Sequence, residues 1–183
     1  VRKVVTEMSP GGRRVLSTTY FFWDGMTLAT EVREDAGGAE RACFYCFDGE
    51  GMPVADRTRT KVGTAVTEGP WRYYVNEPLT GYPQRLLDGS GEVQSELRRS
   101  PWGRLETSSA AAPTPLRFAG QYEDEETGLF YNRHRFYDPD LGSYLTPDPL
   151  GLDGGLSPYA YAANQPHLFF DLDGLIFSQI VDP

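Results

Sequence analysis

The amino-acid sequence predicts a mainly β fold built from antiparallel hairpins. Aromatic residues make up 13% of the chain, and most of them are Tyr or Phe, which favour strands over helices. The 20 Gly and 14 Pro residues indicate frequent turns. Asp-Gly pairs separate short runs of alternating residues, which is the pattern of a β-hairpin. The nearest candidate for an amphipathic helix, 121–135, contains Gly128 and many aromatic residues, so we expect little helix.

Units of strand, turn and strand follow one another along the first part of the chain. Segments 18–32 and 42–57 each show two strand-like runs around an Asp-Gly turn, which begins at Asp24 in the first and at Asp48 in the second. Segment 71–106 contains further units of the same kind. Aromatic clusters recur about every 20 to 30 residues, a spacing typical of a β array in which each unit covers its neighbour.

Three other segments have a different character. Segment 58–70 is polar and is expected to be irregular. Segment 107–115, with the sequence TSSAAAPTP, is expected to be a loop or linker. Segment 116–142 alternates in polarity through residues 129–134 between two acidic turns, which predicts strand structure there.

Composition and charge exclude several classes of function. The net charge of −9 argues against a nucleic-acid partner. No apolar run approaches the roughly 20 residues that a membrane span needs. Cys43 and Cys46 could begin a zinc or redox site, but only His134 and His167 could complete a zinc site, and both are distant in sequence. We therefore expect two reduced thiols, no metal site and no cofactor.

A long ordered set of motifs occupies the C-terminal part of the chain. It reads PLRFAGQYEDEETGLFYNRHRFYDPDLGSYLTPDPLGLDGGLSPYAYAANQP. Continued to Leu175, this segment resembles the core domain that closes the repeat array of bacterial Rhs proteins. The upstream units resemble the tyrosine–aspartate (YD) repeats of the same family, with Trp23 in place of the usual Tyr and Asn76 in place of Asp.

The resemblance implies a fold and a division of the chain. In Rhs proteins, and in the similar C components of insecticidal toxin complexes, a long β-sheet spirals into a hollow shell. Their core domain folds inward and closes one end as a plug. Residues 1–114 would then be repeat strands at the end of the shell, 115–175 the core domain, called the plug below, and 176–183 the start of a variable region.

The resemblance also implies partners and a destination. The chain would join an upstream Rhs shell segment and precede a C-terminal toxin domain that the shell encloses. A secretion-system spike, as in type VI secretion, and an immunity protein would be further partners. Such a protein would lie in the bacterial cytoplasm before export and would then be secreted or delivered to a target cell.

The resemblance further implies that the chain cuts itself. Family members cut after the leucine of a terminal Asp-Pro-x-Gly-Leu motif by an aspartyl-peptidase mechanism. The matching stretch here is DLDGL, so the bond would join Leu175 to Ile176, and Asp171 would be one of two catalytic aspartates. The other would be Asp148, which opens DPLGLDGG, an intact copy of the upstream motif. Leu172 replaces the family's proline, so we expect a less rigid turn in which restoring proline speeds cutting.

Two carboxylates suit peptide hydrolysis better than one. An ionised carboxylate takes a proton from water, and a protonated one polarises the carbonyl group. Neighbouring carboxylates share one proton because like charges ionise together only at high cost. Asp148 and Asp171 should therefore lie about 3 to 5 Å apart, with Asp173 as the alternative to Asp171 because it would share that strand face. The residues expected to support the site are Gly151, Gly154, Gly155, Gly174, Arg133 and Arg135.

Two other functions stay open from the sequence. The same shell could be a structural container or chaperone with a silent site, in which case the bond between Leu175 and Ile176 stays uncut. The repeats could instead form an adhesion or carbohydrate-binding module. That alternative predicts that Trp23, Trp71 and Trp102 lie in one exposed patch.

Overall fold

The computed structural model describes residues 1–109 and 113–178, and these form the mainly antiparallel β fold that the sequence predicts. Strands account for 51% of the described residues and helices for 4%. Residues 110–112 of the expected linker and 179–183 of the expected variable region lie outside the described residues.

Ten strands form one large antiparallel sheet. Each strand pairs with the next one along the chain, except around the sixth. The sixth strand pairs with the fifth, and the fifth also pairs with the seventh, which continues the sheet. The strands are β1 (Arg2–Ser9), β2 (Gly12–Asp24), β3 (Thr27–Asp35), β4 (Glu40–Phe47), β5 (Pro53–Val62), β6 (Ala65–Glu68), β7 (Arg72–Asn76), β8 (Pro83–Leu87), β9 (Val93–Arg99) and β10 (Leu105–Ser108).

The plug and the residues that follow it contain two small sheets and two short 3-10 helices. The sheets are β11 (Tyr122–Glu123), β12 (Phe130–Asn132), β13 (Arg135–Asp138) and β14 (Ser143–Tyr144), followed by the pair β15 (Phe170–Asp171) and β16 (Phe177–Ser178). The helices are Gly151–Gly154 and Ala162–Asn164. Neither of these helices has the length or the hydrophobicity of a membrane span, and the described residues contain no other helix. The expected domain limits at 114 and 175 stay predictions.

Turns of the large sheet are fixed by an aspartate and a glycine three residues later. The Asp48 carboxylate accepts hydrogen bonds from the backbone N–H groups two and four residues further on, both at 2.9 Å. Gly51 completes this turn at φ +84°, where a residue with a side chain would be strained. The turns that begin at Asp35 and Asp88 have the same carboxylate bonds. This local arrangement explains why the hairpins were predictable.

The plug covers one face of the large sheet. Phe21 and Tyr122 meet edge to face across this interface, with ring centroids 5.2 Å apart. The half-buried Glu31 carboxylate accepts hydrogen bonds from the hydroxyls of Tyr122 at 2.6 Å and Tyr45 at 3.1 Å. Sheet and plug therefore share both apolar and polar contacts. The buried cluster here is Leu28, Cys43, Tyr45 and Leu116.

A second core of aromatic residues joins the sheet to the interior of the plug. Phe118 is 1% exposed, meets Tyr82 edge to face at 5.5 Å and stacks on Tyr161 at 5.5 Å. The Arg99 guanidinium lies over the Phe118 ring at 4.8 Å. Phe118 thus links side chains from both parts of the molecule. The buried members of this core are Tyr82, Phe118, Phe130, Tyr137, Tyr144, Tyr161 and Ala162.

Two expectations about local structure were wrong. Segment 58–70 is largely strand, because the end of β5 pairs with β6 as a hairpin in which both strands are mostly exposed. The alternation through 129–134 does not mark a continuous strand. The chain turns at Arg133, which has φ +51°, between β12 and β13.

The three tryptophans do not form the exposed patch that the adhesion alternative predicts. Trp23 packs against the buried cluster beneath the plug. Trp102 is half-buried and contacts the backbone at Gly142. Trp71 lies under the Arg57 guanidinium at 5.1 Å. The structure therefore gives no support to an adhesion surface built from these residues.

Truncating Phe118 should destabilise the fold far more than truncating an exposed phenylalanine. We expect Phe118→Ala to lower the free energy of unfolding by about 3 to 5 kcal/mol, since it leaves a cavity between sheet and plug. Phe22→Ala, at a position that is 55% exposed, should cost about 1 kcal/mol or less. Urea unfolding of both variants measures the difference, and equal losses would contradict this account of the core.

Candidate functional site

Four elements bring charged and polar groups to one buried point in the plug. Strand β13 supplies Arg135, β14 supplies Tyr144, and β15 supplies Asp171. The loop that opens the DPLGLDGG motif supplies Asp148. The two acidic motifs lie far apart along the chain, and the segment between them folds back to bring them together.

The Arg135 guanidinium is the centre of this cluster. Its Nη2 lies 2.9 Å from Asp148 Oδ2 and 3.4 Å from Asp171 Oδ2. The separation of these two oxygens therefore cannot exceed the sum of those distances. Its Nε donates to the Gly174 carbonyl at 2.5 Å, and its Nη1 donates to the Pro158 carbonyl at 3.1 Å. The side chains of the arginine and both aspartates are at most 4% exposed.

Asp171 is held on both carboxylate oxygens. Oδ1 accepts hydrogen bonds from the N–H groups of Gly174 at 2.8 Å and Leu175 at 3.1 Å. Oδ2 accepts a hydrogen bond from the Tyr144 hydroxyl at 2.8 Å. Burial nevertheless raises the pKa of Asp171 above its ordinary value, because these donors and Arg135 offset only part of the lost hydration. A carboxyl group in this environment can hold a proton more readily than one in water.

Asp148 is fixed by its own loop. Its Oδ1 accepts a hydrogen bond from the Leu150 N–H at 2.8 Å. A Cβ atom at Gly154 would lie 2.4 Å from Asp148 Oδ2, so only glycine fits beside the carboxylate. Gly151 and Gly155 have φ values of +62° and +132°, which side chains disfavour. The three predicted glycines of this loop therefore have a structural reason to be glycine.

Two residues of the cluster were not predicted from the sequence. The Tyr144 ring lies 3.6 Å from the Arg135 guanidinium carbon, and its hydroxyl bonds to Asp171. Asn132 Nδ2 donates to the Tyr144 hydroxyl at 2.7 Å and to the Asp171 carbonyl at 2.9 Å. The sequence does hold a signal, because Asn132 follows Phe130 by two residues and so shares its strand face. The structure buries Asn132 completely, and a buried polar residue needs a partner.

The remaining predicted residues have different positions. Arg133 donates to the Gly25 carbonyl on the sheet, away from the two aspartates. Strand β15 ends at Asp171, so the regular strand that would align Asp173 with it does not form. Asp173 Oδ1 instead accepts a hydrogen bond from the Leu175 N–H at 3.1 Å. Ile176, on the far side of the expected cut, is 60% exposed.

Gly174 packs closely against the cluster and against β12. Its φ is +79°, and a Cβ atom there would lie 2.5 Å from the Asn132 carbonyl oxygen. Replacement of this glycine would displace the peptide whose carbonyl accepts from Arg135. The predicted supporting role of Gly174 thus has a geometric basis.

The cysteines lie elsewhere, on β4. Cys43 is buried and Cys46 is exposed, and both are free thiols. Burial raises the pKa of the Cys43 thiol to about 12, so it is protonated at neutral pH. Within residues 1–109 and 113–178, no three His, Cys, Asp or Glu side chains are placed to hold a metal ion.

Comparison with known proteins gives consistent matches. A family model described as Teneurin YD-shell matches residues 59–167. Double-stranded DNA deaminase toxin A of Burkholderia cenocepacia (strain H111) is 36% identical over 179 residues, which cover 91% of this chain and 12% of that protein. Toxin protein Tse5 of Pseudomonas aeruginosa is 38% identical over 185 residues, which cover 88% of this chain and 14% of that protein. The chain thus spans about one eighth of the length of these relatives.

A crystal structure of TcdB2-TccC3-TEV has the same fold. It superposes on this chain with a TM-score of 0.75 at 22% sequence identity. The match covers 95% of this chain and 8% of that one. At this identity the likeness shows the fold alone.

Removing the central cation should destabilise the plug. We expect Arg135→Gln to lower the free energy of unfolding at pH 7 by about 3 to 5 kcal/mol, because two buried carboxylates lose their positive partner. Arg133→Gln, one hydrogen bond at an exposed site, should cost about 1 kcal/mol or less. Urea unfolding tests both variants.

The pH dependence of this difference gives a second test. Loss of Arg135 should raise the pKa of Asp171 further above its ordinary value, so the gap in unfolding free energy between parent and Arg135→Gln should narrow as the pH falls towards that ordinary value, about 4. A gap that is constant with pH would show that the arginine stabilises the plug by packing rather than by charge.

Proposed function

We propose that the plug cuts the chain after Leu175. The chain belongs to the Teneurin YD-shell family and is an Rhs/YD shell protein of the kind found in polymorphic toxins. Asp148 and Asp171 would act as an aspartyl-peptidase pair without a cofactor. The observation that carries this proposal is the meeting of both carboxylates at Arg135, beside the N–H group of Leu175.

The two aspartates have different parts in the proposed reaction. Asp148, whose oxygen is the nearer to the guanidinium, is the ionised base and takes a proton from water. The water oxygen then attacks the Leu175 carbonyl carbon. Asp171, with its raised pKa, is protonated and donates its proton to the carbonyl oxygen.

Breakdown of the tetrahedral intermediate completes the cut. The C–N bond to Ile176 breaks, and the proton held by Asp148 passes to the leaving amine. The intermediate's hydroxyl proton returns to Asp171 as the Leu175 carboxyl group forms. Arg135 transfers no proton in this scheme. It is a positioning residue that keeps two like charges close enough to share one proton.

The proposed role of the cut is release of a cargo from a closed shell. Strand β1 pairs only with β2 among the described strands, so its free edge can continue the sheet into an upstream shell segment. The relatives named above are toxins, and the present chain spans only part of their length. We propose that a C-terminal toxin domain follows the plug and is delivered to a target cell, with type VI secretion as the expected route.

A silent container is the second candidate. The observation that favours it is Leu172, which stands where the self-cutting motif has proline. In that case the buried cluster around Arg135 would only hold the plug in place. The fold and the partners would be unchanged, and the bond between Leu175 and Ile176 would stay intact.

Replacing the proposed base should stop cutting and leave the fold intact. We expect Asp148→Asn to lower the rate of cutting at Leu175 by at least about a hundredfold, because general-base catalysis contributes on that order or more. Intact mass of the full-length gene product over time measures the cut. The β signal in circular dichroism should be unchanged.

Asp153→Asn is the matched control for this variant. Asp153 lies in the same motif but is exposed, so its replacement should leave cutting at the parent rate. If Asp148→Asn cuts as fast as the parent, Asp148 is not the base and the cluster is structural. A parent that is never cut would instead support the container function.

The Tyr144 hydroxyl should set the pH dependence of cutting. Its hydrogen bond stabilises the ionised form of Asp171 and so lowers the pKa of that carboxyl group. Tyr144→Phe removes this bond and raises the Asp171 pKa further. Because protonated Asp171 is the active form, the alkaline fall in rate should move to higher pH by about one unit.

Cutting rates across a pH series measure this shift. Tyr159→Phe is the control, because Tyr159 is exposed and its replacement should leave the profile unchanged. An unchanged or acid-shifted profile for Tyr144→Phe would contradict the assignment of Asp171 as the acid.

A further inference from the structure

Leu172, next to Asp171, packs into an apolar notch that spans sheet and plug. It lies against a small buried cluster formed by Met52, Ala119 and Phe170. Met52 belongs to the turn between β4 and β5 of the large sheet, whereas the other two belong to the plug. The side chain that replaces proline in the cut-site motif therefore has a contact of its own with the shell.

Glycines on both sides make room for Leu172. A Cβ atom at Gly51, in the turn between β4 and β5, would lie 2.9 Å from Leu172 Cδ1. A Cβ atom at Gly120, in the plug, would lie 2.0 Å from the Leu172 carbonyl oxygen. The side chain of Leu172 therefore packs against the sheet, and its backbone packs against the plug.

The sheet side of the notch is held independently of the plug. Within the turn, the Asp48 carboxylate and the Asp48 N–H group bind the backbone of Met52 at 2.9 and 3.0 Å. Neighbouring Cα atoms are about 3.8 Å apart, so displacement of Leu172 moves Asp171 with it. A shift of about 1 Å in a reacting group can cost a hundredfold in rate.

We propose that Leu172 is a positioning residue that docks the cut-site segment on the β4–β5 turn, so that Asp171 reaches Arg135 only when plug and sheet have closed on each other. This regulation rests on the proposed self-cutting. It makes cutting conditional on docking of the plug, because the turn that receives Leu172 belongs to the sheet. It also reverses the expectation from sequence for proline at this position, since a pyrrolidine ring ends short of Gly51.

The test measures cutting at Leu175 in the full-length gene product by intact mass. We expect Leu172→Ala to cut about tenfold or more slowly, and Leu172→Met, which fills the same notch, to cut near the parent rate. Leu172→Pro should also be slower than the parent. Leu141→Ala is the matched control in the plug, because Leu141 is 69% exposed.

A second pair of variants acts from the sheet side alone. Gly51→Ala introduces a Cβ atom against Leu172 and should slow cutting without changing the plug sequence. Gly91→Ala is the control, because Gly91 has a similar φ of +88° in the turn after Asp88 and a Cβ atom there meets nothing within 4 Å, so this variant carries the same backbone strain and should cut at the parent rate. Parent rates for both Leu172→Ala and Gly51→Ala, or faster cutting by Leu172→Pro, would overturn the proposal.

Amide exchange separates this proposal from the cutting itself. The N–H groups of Gly174 and Leu175 donate hydrogen bonds to Asp171. In a protein kept uncut by Asp148→Asn, hydrogen exchange at these two amides should become faster when Leu172→Ala is added. Unchanged exchange would overturn the docking role. If the parent never cuts, the proposed peptidase function fails, and the exchange result decides the docking role alone.

Discussion

One buried guanidinium determines where the two acidic motifs of this protein can lie. Burying a carboxylate without a positive partner costs several kcal/mol, so Asp148 and Asp171 enter the plug only because Arg135 faces both of them. The same group binds the carbonyls of Gly174 and Pro158. The loop between the motifs and the terminal segment are therefore tied to a single side chain on β13.

The large sheet supports this cluster from outside. The plug rests on the sheet through the Glu31–Tyr122 hydrogen bond, the contact of Phe118 with Tyr82 and the notch that receives Leu172. Each contact joins residues that are distant in sequence. The plug is too small to bury its aromatic residues alone, because a short chain has little interior. The plug and the sheet consequently become ordered together, which is how the proposed cut site could depend on the sheet.

Sequence patterns were informative where structure is local. The Asp-Gly turns form as predicted because the aspartate and the glycine act within a few residues of each other. The pattern failed for segment 58–70, where β6 is exposed along its length and forms a strand through backbone pairing without an apolar face. The pattern also failed to predict the turn at Arg133 between β12 and β13, because Arg133 has a positive φ that arginine seldom adopts.

The sequence by itself determined the β class, most of the hairpins, the family resemblance and the choice of Asp148 and Asp171 as a pair. Each of these depends on short motifs of fixed spacing. Only the tertiary structure decided that Arg135, and not Arg133, holds the carboxylates, that Asn132 and Tyr144 complete the cluster, and that Leu172 contacts the sheet. Two arginines separated by a single residue look alike in a sequence. The turn between β12 and β13 sends one side chain to the sheet and buries the other, and burial is what gives a charge its partners and its consequences.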